Sequence, residues 1–188
     1  MRHAVPRQVD DSLNEFWLEN PFDFERLRGF NLSMFERNRL FLNQGEGIFA
    51  DASHVSGVDL TSDSRSVAVG DLNEDGRPDL VVRNVGGGPL RVFLNRTRGG
   101  RSLQLTLKGT RSNHGGIGAR LALELGERRV YREHFPQNSI RAQSANETTF
   151  GLGGYEGPLR LNIHWPSGVV QIVEDLKPGR VEIKEREQ

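Results

Sequence analysis

Oxygen-bearing side chains fall at Asp71, Asn73, Asp75 and Asp79, with Gly76 directly after the third. Alternation at 71, 73 and 75 aims those side chains at one centre when the loop curls, and Gly76 permits the sharp bend. The Arg77 carbonyl then turns inward as a fifth donor. All five are the hard oxygens that Ca²⁺ prefers, and water would complete a shell of about 6–8. Three carboxylates this close repel one another unless a cation neutralises them. The same residue types also make ordinary solvated turns. Four donors in register around a glycine favour the calcium reading.

The flanks decide which kind of calcium loop this is. An EF-hand closes with a Glu at its twelfth position and has a helix on each side. The twelfth residue from Asp71 is Val82. Ser66-Val-Ala-Val-Gly70 and Leu80-Val-Val-Arg83 are short and β-branched, so both predict strands. The ion would therefore sit on a strand–loop–strand corner. Ser66 to Val82 resembles the calcium-bearing repeat of integrin-type β-propellers, the FG-GAP or VCBS repeat. That resemblance implies metal ligands at Asp71, Asn73, Asp75, the Arg77 carbonyl and Asp79.

The elements around the loop repeat. Arg39-Leu-Phe-Leu-Asn43 recurs as Arg91-Val-Phe-Leu-Asn95, with Phe41 and Phe93 separated by 52 residues. Between the copies lie Gln44-Gly-Glu-Gly-Ile-Phe-Ala-Asp51, an aromatic strand behind a glycine turn, then a loop near Val55–Ser64, the calcium corner, and a glycine turn at Gly86–Gly88. About four short strands per period is the pattern of a propeller blade. A lone blade leaves sheet faces uncovered, since repeat architectures need roughly three or more units. Missing blades or a partner chain would cover it. Residues 39–98 are thus expected to form about one blade, a partial β-propeller.

From 101 to 187 the pattern changes to closely spaced alternating strands: 103–107, 117–125, 128–133, 148–152, 159–165, 169–173 and 180–184. Tight turns are expected at Gly126-Glu127, Pro166-Ser-Gly168 and Lys177-Pro-Gly179. This predicts a small β-sandwich or barrel, reached through the glycine-rich, basic linker Arg96–Arg101. The whole chain reads as all-β, apart from a short helix predicted over 11–19 by Leu13, Phe16 and Trp17 in the otherwise unreadable segment 1–38. Lys108-Gly-Thr-Arg-Ser-Asn-His-Gly-Gly-Ile-Gly-Ala-Arg120, Phe150-Gly-Leu-Gly153 and Trp165-Pro-Ser-Gly168 together resemble the ASPIC/UnbV domain. That domain closes the cartilage acidic protein family, where it follows a propeller of FG-GAP/VCBS repeats. The resemblance implies a C-terminal fragment of such a protein and an extracellular or periplasmic location.

Composition narrows the function classes. Lys+Arg and Asp+Glu are both 25, so no net field draws nucleic acid. There are no cysteines, which removes disulfides, thiolate metal sites and a Cys nucleophile. No apolar run is long enough to span a membrane. Met1-Arg-His-Ala-Val-Pro6 lacks the apolar core of a signal peptide. Asn31, Asn95 and Asn146 begin N-glycosylation patterns, which carry meaning only in a secreted eukaryotic chain.

Ser112 and His114 invite an acyl-transfer reading, but residues two apart seldom present side chains to each other, and no nucleophile elbow is present. His54, His134 and His164 lack metal-type partners at local spacing. The expected function is a calcium-binding, non-catalytic recognition or adhesion module that presents loops to a protein or glycan ligand. The rivals are an enzyme or accessory factor of a bacterial biosynthetic cluster, with a site near His114, Arg120 or His134, and an architectural cap that blocks a propeller edge.

Overall fold

The computed structural model describes residues 37–61, 64–84, 89–137 and 139–187. The helix expected over 11–19, the sequon at Asn31 and the turn at Gly86–Gly88 lie outside these residues. The described chain is all-β, and its sheets remain open rather than closing into a barrel. It divides into two compact units, Met1–Arg65 with Arg83–Arg91 and Ser66–Val82 with Val92–Gln188.

In the first unit, β1 (Phe41–Gly45) and β2 (Ile48–Asp51) form an antiparallel hairpin. The left-handed backbone at Gly45, Glu46 and Gly47 makes the reversal. A single helical turn, α1 (Ser53–Ser56), occupies the start of what sequence suggested was loop, and Gly57 ends it at φ 74°. Its first residue earns the conformation by contact, because the Ser53 hydroxyl accepts the Leu40 amide at 2.8 Å. Downstream come β3 (Ser64–Gly70), β4 (Asp79–Asn84) and β5 (Arg91–Phe93), most of whose residues belong to the second unit and which are ordered β3-β4-β5 in one sheet. The predicted strands at 66–70 and 80–83 are both present. The pattern is consistent with a partial propeller blade followed by a sandwich.

The larger unit holds β6 (Arg101–Lys108), β7 (Arg120–Leu125), β8 (Arg128–Glu133), β9 (Thr148–Gly153), β10 (Leu159–His164), β11 (Val170–Leu176) and β12 (Gly179–Lys184). They form two sheets, β11-β10-β7-β8 and β12-β6-β9. Alternate residues of each strand point inward. Leu103, Leu105 and Leu107 meet Leu121, Leu123, Leu161 and Ile163 in one buried cluster with Phe150 and Trp165. The Trp165 indole N–H donates to Oε1 of the buried Gln171 side chain at 3.1 Å, so its polar edge is satisfied. Gly126 turns β7 into β8 with φ 64°, the glycine-first hairpin that the sequence predicted.

One pairing was not legible in advance. β12 runs parallel to β6, with Gly179 opposite Leu103 and Arg180 opposite Gln104. Residues paired this way emerge on the same face of the sheet. Leu103, Leu105 and Leu107 take the core face, which leaves Ser102, Gln104 and Arg180 together on the other.

Candidate functional site

The 71–79 loop packs on that polar face. It begins where β3 ends and closes as β4 begins, with Gly76 in the left-handed region at φ 84°. Asp71 Oδ1 accepts the Asp75 amide at 3.0 Å, and Oδ2 accepts the Gly76 amide at 2.9 Å. These bonds wrap the loop around the first carboxylate. Asn73 Nδ2 donates to Asp75 Oδ2 at 2.8 Å, which brings the second and third donor positions together. Asp79, fully buried, faces elsewhere: its oxygens accept the amides of Leu72 at 2.9 Å and Asn95 at 2.7 Å.

β6 and β12 supply the floor. The Ser102 hydroxyl donates to the Gly76 carbonyl at 2.6 Å, and Gln104 Nε2 donates to Asp71 Oδ2 at 2.9 Å. Arg180 reaches over the loop: its guanidinium lies 3.8 Å from Asp71, 3.3 Å from Glu74 and 3.7 Å from Glu147. Arg77 contributes through its side chain as well, donating to Asp75 at 2.7 Å and to the Asn95 carbonyl at 3.0 Å. A shallow cleft of about 300 Å³ opens beside these groups, bounded by Gly70, Asp71, Glu147 and Arg180 among others.

Burial alone would raise the Asp71 carboxyl. The Gln104 amide, the Gly76 and Asp75 N–H groups and the Arg180 charge outweigh it and hold the group below its ordinary value. At Asp75 burial again opposes ionisation, and Asn73 together with Arg77 reverses the balance. The loop is therefore anionic at neutral pH.

All five positions that the sequence singled out belong to this loop, and their donors are hard oxygens of the kind calcium takes. In chemistry the residues fit the ion. In position, Asp71, Asn73 and Asp75 share one side of the loop, while Asp79 serves backbone amides with one bond to each oxygen. A carboxylate oxygen has a second lone pair, so this does not exhaust its capacity. Among the described residues no group of three His, Cys, Asp or Glu side chains is already gathered for a metal ion, and arginine meets much of the loop's charge instead.

A second anionic centre lies at the far end of β12, and sequence reasoning missed it. Glu185 is buried, and its Oε2 accepts the amides of Thr110 at 2.8 Å, Arg111 at 2.9 Å and Ser112 at 2.8 Å. Its Oε1 accepts the hydroxyls of Ser112, at 3.0 Å, and Ser167. Burial pushes this carboxyl up, but the Ser112 amide, the Ser167 hydroxyl and the other two amides overcome it and hold it at about 2. The Ser112 hydroxyl is thus committed to Glu185, while His114 stays exposed and offers its carbonyl to the Gly109 amide at 3.0 Å. Gly109 is required here, since a Cβ would overlap the Asn113 carbonyl oxygen.

The remaining histidines sort by burial. His134 is buried with Nδ1 2.8 Å from the Thr148 hydroxyl and Nε2 3.1 Å from Asn146 Oδ1. Desolvation lowers its basicity, although hydrogen bonds that the ring can donate to the Gly115 backbone and the Asn146 side chain work the other way. His164 is an exposed rim residue of β10, and His54 lies exposed 3.9 Å from Asp59.

With this geometry in place, the comparison with known families is direct. Residues 109–188 match the model of the ASPIC and UnbV family. Residues 30–82 match an FG-GAP-like repeat, and residues 64–102 an FG-GAP repeat. The chain carries FG-GAP repeats and an ASPIC/UnbV domain. Cartilage acidic protein 1 of Xenopus tropicalis, of Homo sapiens and of Mus musculus is each 42% identical to it over 65 residues. That stretch covers 34% of this chain and 10% of each relative, so the match spans about a tenth of those proteins. Among the described residues no helix is long and apolar enough to cross a membrane.

Two of the overlooked residues left a trace in the sequence. Asn43 and Asn95 close the repeated pentapeptide, and each side chain accepts the amide two residues on, Gly45 at 2.8 Å and Thr97 at 3.1 Å. The repeat thus marks the turn that delivers the Asn95 amide to Asp79. Gln104, Glu147, Arg180 and Glu185 left no such signal, because their partners are distant in sequence.

Proposed function

We propose that this chain is a calcium-stabilised, non-catalytic recognition module in which the ASPIC/UnbV domain carries the FG-GAP loop on its polar face. The observation that supports it is the loop's oxygen set, wrapped about Asp71 and bound to β6 by Ser102 and Gln104. Asp71, Asn73, Asp75, the Arg77 carbonyl and Asp79 would hold the ion. Bound calcium would supply the positive charge that three neighbouring carboxylates need. What these residues themselves do is fix the β3–β4 corner, so that adjacent loops present a steady surface to a protein or glycan ligand. Extracellular calcium modules bind the ion at roughly 10⁻⁴–10⁻³ M, and that range suits this site. The relatives' name ties them to cartilage, which supports an extracellular setting for this chain too.

Thermal unfolding in calcium and in chelator tests the assignment. Calcium should raise the melting temperature of the parent and leave Asp75→Ala where chelator leaves it. An equal rise in both proteins would falsify the site.

A second reading has its own support. β3 is the outer strand of its sheet, and the 139–147 segment seals its open edge with side chains and the Ala145 amide, which donates to the Val69 carbonyl at 2.9 Å, rather than with a strand. Ser139 accepts the Val67 amide at 3.2 Å, Ser144 the Val69 amide at 3.0 Å, and Glu147 the Asp71 amide at 3.4 Å. Such sealing prevents edge-to-edge association. On this reading the domain terminates a propeller, and it predicts that the chain keeps upstream repeats soluble without binding any ligand of its own.

A further inference from the structure

Arg180 is not one of the loop's own residues, yet it confronts more of the loop's charge than any group within it. It sits in β12 directly opposite Gln104 of β6, so the parallel register delivers both side chains to Asp71. Its guanidinium is shared among Asp71, Glu74 and Glu147, at 3.8, 3.3 and 3.7 Å. The Asp71 side chain is 1% exposed and that of Glu147 14%, whereas Arg180 remains 44% exposed at the mouth of the cleft. A guanidinium stays charged at any pH a protein survives. It therefore acts as a permanent monovalent counter-charge mounted on the sheet.

We propose that Arg180 sets the calcium affinity of the loop, standing in for the ion's charge when none is bound and opposing the ion when one arrives. This deepens the reading of the 71–79 loop as a calcium site and rests on it. Two consequences follow from the one placement. In the metal-free protein Arg180 offsets the repulsion among Asp71, Glu74 and Glu147, so the corner keeps its shape without calcium. In the loaded protein the same charge, shared with Asp71, would oppose a divalent cation held there. A unit charge close to a divalent cation in a water-exposed setting would weaken binding on the order of tenfold. The effect shrinks as salt rises, because the cleft is open to solvent.

The test is calorimetric titration of the full chain with Ca²⁺ alone, comparing the parent with Arg180→Met, Arg180→Gln and Arg180→Lys. Methionine and glutamine keep part of the aliphatic stem and remove the charge, and lysine keeps the charge. Both neutral variants should bind calcium roughly tenfold more tightly at low salt, while their metal-free melting temperatures fall. Arg180→Lys should stay close to the parent in both respects. If the parent binds calcium and the neutral variants bind it no more tightly, the role given to Arg180 is wrong and the calcium site stands. If neither parent nor variants bind, the reading of the loop fails together with it. Using two neutral replacements guards against one that folds poorly.

Discussion

The 71–79 loop and the Glu185 nest solve the same problem in different ways. Each surrounds a buried carboxylate with backbone amides from a tight loop, and in each the hydrogen bonds outweigh desolvation. The nest ends there: one carboxylate meets three amides and two hydroxyls, all neutral, and its charge is distributed without a counter-ion. The loop has Asp75 and Asp79 beside Asp71, with Glu74 and Glu147 close by, and draws in both Arg77 and Arg180. Amides alone can settle one negative charge. Several gathered together call for cations. The contrast separates a carboxylate settled by neutral donors from a cluster whose charge is met by arginines.

The largest effect should come from breaking the neutral centre. Glu185→Ala leaves three amides and two hydroxyls facing a buried gap, and the loss should be about 3–5 kcal/mol in urea unfolding. The loss should be the same in calcium and in chelator. Restoration by calcium would undo the distinction between the two regions.

Acid titration gives the next largest signal. Folding lowers the Glu185 carboxyl from 4.5 to about 2, so its contribution is fully present above pH 4.5 and disappears as the pH falls toward 2. Glu185→Gln should flatten the stability profile across that window. Asp71 and Asp75 are shifted in the same direction, so part of the acid slope must survive the substitution. A parent and variant with parallel profiles would show that the nest does not depress this group.

Ser102→Ala is the finest probe. It removes one hydrogen bond, from β6 to the Gly76 carbonyl, and should cost about 1 kcal/mol. The cost should be evident in chelator and accompanied by a weaker thermal response to calcium, because the loop loses part of its floor. A calcium response identical to the parent's would mean that β6 merely touches the loop.

Much of this architecture could be read from local pattern. Arg128–Glu133 is a strand at its predicted limits, and Leu103-Gln-Leu-Thr-Leu107 announced its core face by alternation. Gly76 takes the left-handed conformation that the bend required. Alternation alone cannot say what covers the opposite face, and there Gln104 is 3% exposed beneath the loop. Period-two patterning tells which residues share a face and cannot tell what covers it. Likewise Ser112 and His114 look like a reactive pair on paper, yet folding brings Glu185 to Ser112 from the far end of the chain.

By itself the amino-acid order determined the strands, the turns and the oxygen chemistry of residues 71–79, because these depend on neighbours a few positions apart. Tertiary structure alone decided that β12 pairs parallel to β6, and that pairing sets Arg180 beside Gln104 and Asp71. It likewise decided that Glu185 fills the amides of 110–112. Those contacts join residues about seventy or more positions apart, and chain closure over that distance is governed by packing of the whole core rather than by any local preference.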